Sequence, residues 1–225
     1  LFPHQLHTAL HANDRDPVRW LLADEVGLGK TIEACLILTA LLRTGRAERA
    51  LVVAPDTLTI QWLGELYRKF HANFILLDPD RIEDVAREYG PETNPFDVYG
   101  FAVASMEDFG AVPQLGALAA SAGLDVVVVD EAHRLIGGPA EAHVAPLVES
   151  ARHALLLTAT PLQSDRQGFH RLLSMLRPDE TPEFEEFSAA VDRGEAVVRH
   201  TSAVRREAVG GLPPRVPSAV DVGPP

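Results

Sequence analysis

The fold is decided by the segment Leu21-Leu22-Ala23-Asp24-Glu25-Val26-Gly27-Leu28-Gly29-Lys30-Thr31-Ile32-Glu33-Ala34. An apolar run ends in a short loop with two glycines, and a lysine, a threonine and a second apolar run follow. This order predicts a β-strand, a phosphate-binding loop and an α-helix. Glycines let the backbone turn its N–H groups toward phosphate oxygens, and the positive end of the helix dipole adds attraction for the phosphates.

The two residues that follow the glycines carry the predicted phosphate chemistry. Lys30 provides a mobile positive charge for the β and γ phosphates, and the hydroxyl of Thr31 is a ligand for Mg²⁺. The common pattern G-x-x-x-x-G-K-[ST] has glycine where this chain has Asp24. The alternative interpretation is therefore an ordinary strand, turn and helix, and a second motif argues against that alternative.

That second motif reads Val126-Val127-Val128-Val129-Asp130-Glu131-Ala132-His133. It predicts a buried strand that ends in two carboxylates. Asp130 is suited to hold Mg²⁺, and Glu131 is suited to orient or deprotonate an attacking water. Two adjacent carboxylates at the end of a buried strand make poor structural sense without a cation.

Composition sets outer limits on function. The chain has 225 residues, 46% of them hydrophobic, and a net charge of −12, which disfavours a domain that wraps nucleic acid by bulk positive charge. The single cysteine, Cys35, forms no intrachain disulfide and fits a reducing cytoplasm. No apolar run is long enough to span a membrane, and no signal peptide is visible, so we predict a cytoplasmic protein. Because the chain begins without methionine, we expect it to be a fragment.

Strands and helices are predicted to alternate along the chain. The apolar runs are short and mostly unalternated, which is typical of strands buried on both faces. The sequence therefore predicts an α/β fold, a mostly parallel sheet with helices on both faces, and a ligand at the carboxyl ends of the strands. The predicted strands are 18–23, 50–54, 74–77, 99–104, 124–130 and 154–157, and the predicted helices are 1–12, 31–44, 58–70, 80–89, 112–122, 139–151, 167–176 and 183–191.

The predicted helix 58–70 shows helical spacing of apolar residues. Its inner stripe is expected to contain Ile60, Trp62, Leu63, Leu66 and Phe70. Trp62 has a second interpretation, as a platform that stacks on a base, but its place in the stripe favours the core.

Three motifs together resemble a known family. Asp24 to Thr31, Asp130-Glu131-Ala132-His133 and Leu157-Thr158-Ala159-Thr160-Pro161 are similar to motifs I, II and III of the superfamily-two helicase-like ATPases. The form of the first motif resembles the SWI/SNF branch, whose members move along double-stranded DNA and have aspartate at the position of Asp24. Within that branch, the motif sequences are most similar to those of the bacterial RapA-like members, which act on DNA and bind RNA polymerase.

The resemblance implies a RecA-like P-loop domain and a role for individual residues. ATP would be bound by residues 24–31 and by Gln5, which resembles the glutamine of a Q motif that reads the adenine edge. His133 with Thr158 and Thr160 would couple the ATP site to the rest of the motor, and Pro55, Gln61 and Ser105 would contact DNA. The competing interpretations are a surface glutamine at Gln5, a core histidine at His133 and purely structural roles for the three DNA candidates. The loop residues implied in ATP binding are Asp24, Glu25, Val26, Gly27, Leu28, Gly29, Lys30 and Thr31.

The resemblance also implies a domain plan. Residues 1–178 would form the first RecA-like lobe, with the Q motif and motifs I, Ia, Ib, II and III. Residues 179–225 would form a helical appendage and a connector, including Arg205-Arg206 and Leu212 to Arg215, toward a second RecA-like lobe. The family's arginine finger lies in that second lobe, so we expect this chain alone to bind nucleotide weakly and to hydrolyse it negligibly.

Two functions remain open at this point. The first is the ATPase lobe of a motor that binds Mg-ATP and moves on double-stranded DNA. The alternative is an ATP-dependent docking module for a protein partner such as RNA polymerase or a phage-defence complex, which the acidic net charge favours slightly.

Overall fold

The structure is a computed structural model that describes residues 1–23, 27–159, 165–193 and 201–202. Seven strands form one sheet in the order β3-β4-β2-β5-β6-β1-β7, and every pairing among them is parallel. This arrangement confirms the predicted α/β fold. The strands are β1 Arg19–Leu22, β2 Ala50–Ala54, β3 Ile75–Leu76, β4 Phe101–Ser105, β5 Val126–Val129, β6 His153–Leu157 and β7 Thr201–Ser202.

The helices cover both faces of the sheet. They are α1 Pro3–Asn13, α2 Lys30–Arg43, α3 Asp56–Phe70, α4 Pro79–Tyr89, α5 Pro95–Val98, α6 Met106–Ala111, α7 Pro113–Ser121, α8 Glu141–Ser150, α9 Arg166–Leu176 and α10 Phe184–Asp192, with one turn of 3₁₀-helix at Ala132–Arg134.

Residues of each central strand alternate between two hydrophobic cores. In β5, Val127 and Val129 belong to the core beneath α5 to α10, and Val126 and Val128 belong to the core beneath α1, α2 and α3. All four valines are buried. A strand with no polar face is stable only between two helical layers, which is why the unalternated sequence predicts this architecture.

The strand register places the sequence motifs at one edge of the sheet. Leu22 of β1 lies beside Leu157 of β6, and Val129 of β5 lies beside Leu156 of β6 and Val53 of β2. The residues that follow these strands therefore meet at the carboxyl-terminal rim, as is usual for ligand sites in parallel sheets.

Local details differ from the prediction at four places. Ile60 is 66% exposed, so its assignment to the inner stripe of α3 was wrong, because the face toward the sheet is occupied by Thr59, Trp62 and Leu66. The helices α5 and α6 and the strand β7 were not predicted. The two short helices begin at the side-chain caps Asn94 and Ser105, and a two-residue strand is too short to have a recognisable period.

Described residues beyond 178 pack on the same sheet and core as the preceding residues. Phe187 of α10 is fully buried against the core, and β7 pairs with β1. The predicted connector residues, Arg205-Arg206 and Leu212 to Arg215, lie outside the described residues.

A buried arginine, Arg19, is the first residue of β1 and contacts the carboxyl-terminal ends of two helices. Arg19 of β1 donates hydrogen bonds to the carbonyls of Val148 and Ala151 at the end of α8 and of Met175 and Leu176 at the end of α9, at 2.5–3.1 Å. These carbonyls are the negative ends of two helix dipoles, so one guanidinium satisfies both.

None of the described helices has the length and apolar character that crossing a membrane requires.

Candidate nucleotide and magnesium site

The described part of the loop between β1 and α2 contains two glycines in left-handed backbone conformations. Gly27 and Gly29 have φ angles of +86° and +89°, in the region that residues with a side chain rarely adopt. Gly29 is the N-cap of α2, and Lys30 and Thr31 form its first turn, half-buried. Residues 24–26, and with them the predicted site residues Asp24, Glu25 and Val26, lie outside the described residues.

Gln5 holds this loop from the side of α1. Its Nε2 donates to the carbonyl of Leu28 at 3.0 Å, and its Oε1 accepts from the N–H of Phe2 at 3.0 Å. The side chain is only 4% exposed, and His4 Nε2 donates to the same Leu28 carbonyl at 3.2 Å. Gln5 is therefore a buried partner of the phosphate loop rather than a surface residue, and its contact with adenine stays a prediction.

Asp130 follows β5 with both of its oxygens occupied. Oδ2 accepts from the indole N–H of Trp62 at 2.8 Å, and Oδ1 accepts from the N–H of Glu131 at 2.8 Å. The carboxyl is 6% exposed, and this burial raises its pKa above the ordinary value. The indole and the Glu131 N–H oppose the rise in pKa by hydrogen bonding, and Lys30 opposes it by its charge, whereas the Glu131 carboxylate adds to it.

Glu131 turns the chain sharply at the strand end. Its φ and ψ angles are +48° and +44°, a left-handed conformation that costs energy for any residue with a side chain. Its Oε2 lies 3.3 Å from His133 Nδ1, and the same nitrogen lies 3.2 Å from Thr158 Oγ1. His133 thus connects the loop after β5 to the residue after β6.

The predicted coupling residues are partly placed by these contacts. Thr158 is fully buried beside His133, which matches the predicted arrangement in space. Thr160 lies outside the described residues. The coupling function of all three residues stays a prediction.

The three DNA candidates lie near the same rim but differ in exposure. Gln61 is exposed on α3, whereas Pro55 is buried as the N-cap of that helix. Ser105 is also buried, and its Oγ accepts from the N–H of Asp108 as the cap of α6 at 3.2 Å. Pro55 and Ser105 therefore have structural roles, and DNA contact by the three residues stays a prediction.

Glu107 forms hydrogen bonds with three segments near this rim, and the sequence did not predict a role for it. Its Oε2 accepts from the N–H of Asp56 at 2.9 Å and from the hydroxyl of Ser105 at 3.3 Å, and its Oε1 accepts from Arg134 at 3.2 Å. One carboxylate thereby links the starts of α3 and α6 to the segment after Asp130. A glutamate in the first turn of a short helix that was itself not predicted carries no sequence signal for such a role.

The donor set fits a magnesium nucleotide. A buried carboxylate at Asp130 and the Thr31 hydroxyl are hard oxygen ligands, and Lys30 is close enough to Asp130 to influence its charge. Among the described residues, no group of three His, Cys, Asp or Glu side chains could enclose a metal. Mg²⁺ is usually held by one or two protein ligands together with phosphates and waters, so this sparse set suits it.

Comparison with known proteins supports the same assignment. The profile of the SNF2-related domain matches residues 6–207 of the chain. The RNA polymerase-associated protein RapA of Actinobacillus succinogenes is 40% identical over 84% of this chain, and that of Yersinia enterocolitica is 41% identical over 83%. In both cases the match covers 20% of the relative, so the chain spans about a fifth of the length of the curated relatives it matches.

Solved structures agree on the fold. The SWI2/SNF2 ATPase core of Sulfolobus solfataricus in complex with double-stranded DNA superposes with a TM-score of 0.70 at 17% identity, covering 95% of this chain and 47% of the other. The helicase domain of Pyrococcus furiosus Hef gives a TM-score of 0.63 at 19% identity, covering 91% and 38%. These identities are too low to transfer function, but the superpositions confirm the RecA-like fold.

Proposed function

The chain belongs to the family of SNF2-related domains, and on that premise we propose that it is the first ATPase lobe of a motor that moves on double-stranded DNA. At the level of the family, the activity is ATP hydrolysis by a helicase-like enzyme. The finer proposal is that hydrolysis of Mg-ATP at the loop 24–31 and at Asp130-Glu131 is coupled to movement along the duplex.

The observation that carries the proposal is the meeting of the described parts of three motifs at one rim. Lys30 acts electrostatically on Asp130, and His133 lies within 3.3 Å of both Glu131 and Thr158. Each segment follows a different strand, so nothing but a shared ligand and a shared mechanism requires these residue types together.

Each residue has a defined role in the proposed reaction. Lys30 would contact the β and γ phosphates, and Glu131 would orient the attacking water and accept its proton. Thr31 and Asp130 would hold Mg²⁺, which when bound neutralises charge on the phosphates. Gln5 would recognise the adenine while it supports the loop, and His133 would relay the state of the site to Thr158 and Thr160.

The DNA partner and the second lobe belong to the whole protein. The similar structure of the Sulfolobus solfataricus ATPase core is a complex with double-stranded DNA. This supports duplex DNA as the ligand that Gln61, Pro55 and Ser105 would contact. We propose that residues 1–178 form the lobe and that 179–225 lead toward a second RecA-like lobe. Because that lobe would supply the cation that completes the transition state, we expect the 225-residue chain alone to hydrolyse ATP negligibly.

The test is ATP turnover by the full-length gene product with no DNA, duplex DNA or single-stranded DNA. Turnover is expected to rise strongly with duplex DNA. Glu131→Gln is expected to lower turnover by about 10²–10⁴-fold, the usual contribution of a positioned general base. Glu83→Gln, a glutamate exposed on α4, is the matched control and should behave as wild type. Turnover that is indifferent to every nucleic acid would refute the motor and support the docking module.

RNA polymerase is the protein partner that the relatives favour. Both RapA proteins are named as RNA polymerase-associated, and we propose the same association for the full-length protein. Affinity capture from a nuclease-treated lysate is expected to retain RNA polymerase. Loss of the polymerase after nuclease treatment would mean that DNA alone bridges the two and would contradict a direct association.

A further inference from the structure

A buried tryptophan contacts the proposed magnesium ligand from a different element of the fold. Trp62 lies on α3 and is 1% exposed, and its indole N–H donates to Asp130 Oδ2 at 2.8 Å. The contact is possible because β2, which leads into α3, is the sheet neighbour of β5, which Asp130 directly follows. The two residues are 68 positions apart in the chain.

The bond does more than fill a core position. A phenylalanine or leucine would pack on the same apolar layer, but an indole also has one N–H that must find a partner when it is buried. Here the partner is charged, and a hydrogen bond to a carboxylate is about twice as strong as one between neutral groups.

The two hydrogen bonds fix the orientation of the carboxylate. The indole holds Oδ2, and the N–H of Glu131 holds Oδ1, so the plane of the Asp130 side chain is set by one long-range and one local donor. If the indole N–H is removed, only the local donor remains and the carboxylate can rotate about its final side-chain bond.

We propose that Trp62 is a positioning residue for Asp130, holding the carboxylate in the orientation that binds the magnesium of the nucleotide. The inference rests on the proposed function, since it needs Asp130 to be a magnesium ligand. Hydrogen-bond partners of metal ligands commonly contribute about 10–100-fold to metal affinity, and that range sets the expected effect.

The first experiment measures binding rather than turnover. A fluorescent ADP analogue is titrated into the 225-residue chain at increasing Mg²⁺ concentrations. Trp62→Phe is expected to raise the half-saturating Mg²⁺ concentration by about 10–100-fold while nucleotide binding at saturating Mg²⁺ is largely kept. Trp20→Phe is the matched control, because Trp20 is the other tryptophan of the chain, equally buried in β1.

A second variant separates the N–H from the shape of the ring. In the Trp20→Phe background Trp62 is the only tryptophan, so biosynthetic replacement of tryptophan by benzothienylalanine changes this ring alone. The analogue exchanges the indole N–H for sulfur and keeps the bicyclic shape. The proposal expects it to reproduce the Mg²⁺ shift of Trp62→Phe, whereas a packing role alone predicts the Mg²⁺ dependence of the Trp20→Phe parent.

An independent readout is the indole N–H resonance of Trp62 in a ¹H–¹⁵N spectrum, identified by its loss in Trp62→Phe. It is expected to shift when Mg²⁺ and ADP are added together and to stay in place when Mg²⁺ is replaced by EDTA. An indole resonance and a Mg²⁺ dependence that are both unaffected, in a chain that binds Mg-ADP, would overturn the positioning role alone. Failure of both the wild-type chain and the full-length protein to bind Mg-ADP would overturn the proposed function together with this inference.

Discussion

The contact between Gly29 and Gln5 leads to a prediction that can be worked out in energy. Gly29→Ala places a Cβ atom 2.2 Å from Gln5 Nε2 while the backbone keeps a φ angle of +89°. The left-handed conformation costs an alanine about 1–2 kcal/mol. The clash also expels the Gln5 amide from the Leu28 carbonyl, and loss of a buried hydrogen bond costs about 1–3 kcal/mol.

The second cost is at the lower end of that range, because His4 Nε2 remains as a donor to Leu28. We therefore expect Gly29→Ala to lower the free energy of unfolding by about 2–4 kcal/mol. Gln5→Ala alone should lower it by about 1–2 kcal/mol, since it loses the same bond without backbone strain. The double variant should cost about 1–2 kcal/mol less than the sum of the two, because a bond already lost cannot be lost twice.

The assay is urea unfolding followed by tryptophan fluorescence for the four chains of this cycle. Gly123→Ala is the control, since Gly123 also has a positive φ angle, of +66°, but no atom lies within 4 Å of the place that its new Cβ would occupy. It should show the strain alone, about 1–2 kcal/mol, with no dependence on Gln5. Additivity of Gly29→Ala and Gln5→Ala to within about 0.5 kcal/mol would refute the reasoning, because independent sites add to that accuracy.

Three further predictions concern other polar contacts. Arg19→Met should lower the free energy of unfolding, measured in urea, by about 3–5 kcal/mol, because four helix-end carbonyls lose their donor. Arg19→Lys should lower it by a smaller amount, and equal losses of stability in the two variants would contradict a role for the planar guanidinium. Burial lowers the pKa of His153 below 6.5, so the folded state favours the neutral imidazole. The contribution of His153 to the free energy of unfolding should be fully present above about pH 6.5 and should be lost as the pH falls below that value. His153→Asn should flatten this decline, and an unchanged slope would contradict the prediction. Glu107→Gln should weaken stimulation of the full-length protein by duplex DNA while its basal turnover is retained, and undiminished stimulation would exclude the link through Ser105 and Arg134.

The predicted pH effect follows from the surroundings of His153. Its Nδ1 accepts from the N–H of Val18 at 2.9 Å, and its Nε2 lies 3.3 Å from the carbonyl of Arg46, to which it donates. Protonation of Nδ1 would break the first bond inside a fully buried site. Burial lowers the pKa most, and the nearby charges of Arg46 and Arg152 also lower it, whereas the hydrogen bond to the Arg46 carbonyl and the charge of Asp16 partly oppose the shift.

Local sequence signals were sufficient for the parallel sheet and for the positive φ angles of the loop in which the nucleotide site is predicted. The four consecutive valines before Asp130 can be accommodated only in a strand covered on both faces, and two glycines before Lys30 permit a loop with positive φ angles. Each of these features depends on residues adjacent in the chain, so the sequence exposes them directly. The family resemblance rested on the same local motifs, and the profile match over residues 6–207 confirms it.

Contacts between segments that are far apart in the chain could not be predicted from the sequence. Trp62 has the spacing of a core residue, and nothing in the pattern of α3 reveals that its N–H meets Asp130. Ile60 looked like a core residue because its apolar side chain fits the helical period, but the direction of a helix face is set by what it packs against. Glu107 and Gln5 likewise have their partners in other elements.

The sequence by itself therefore determined the fold class, the glycine-containing loop after β1 and the carboxylate pair after β5, because these follow from periodicity and from the chemistry of neighbouring residues. Only the tertiary structure decided which side chains hold them in place. The parallel register brings the ends of β1, β5 and β6 to one rim, and α1, α3 and the 3₁₀ turn after β5 place Gln5, Trp62 and His133 beside residues far away in the chain. Such hydrogen bonds depend on distance in space, and that distance is fixed only when the whole sheet has assembled.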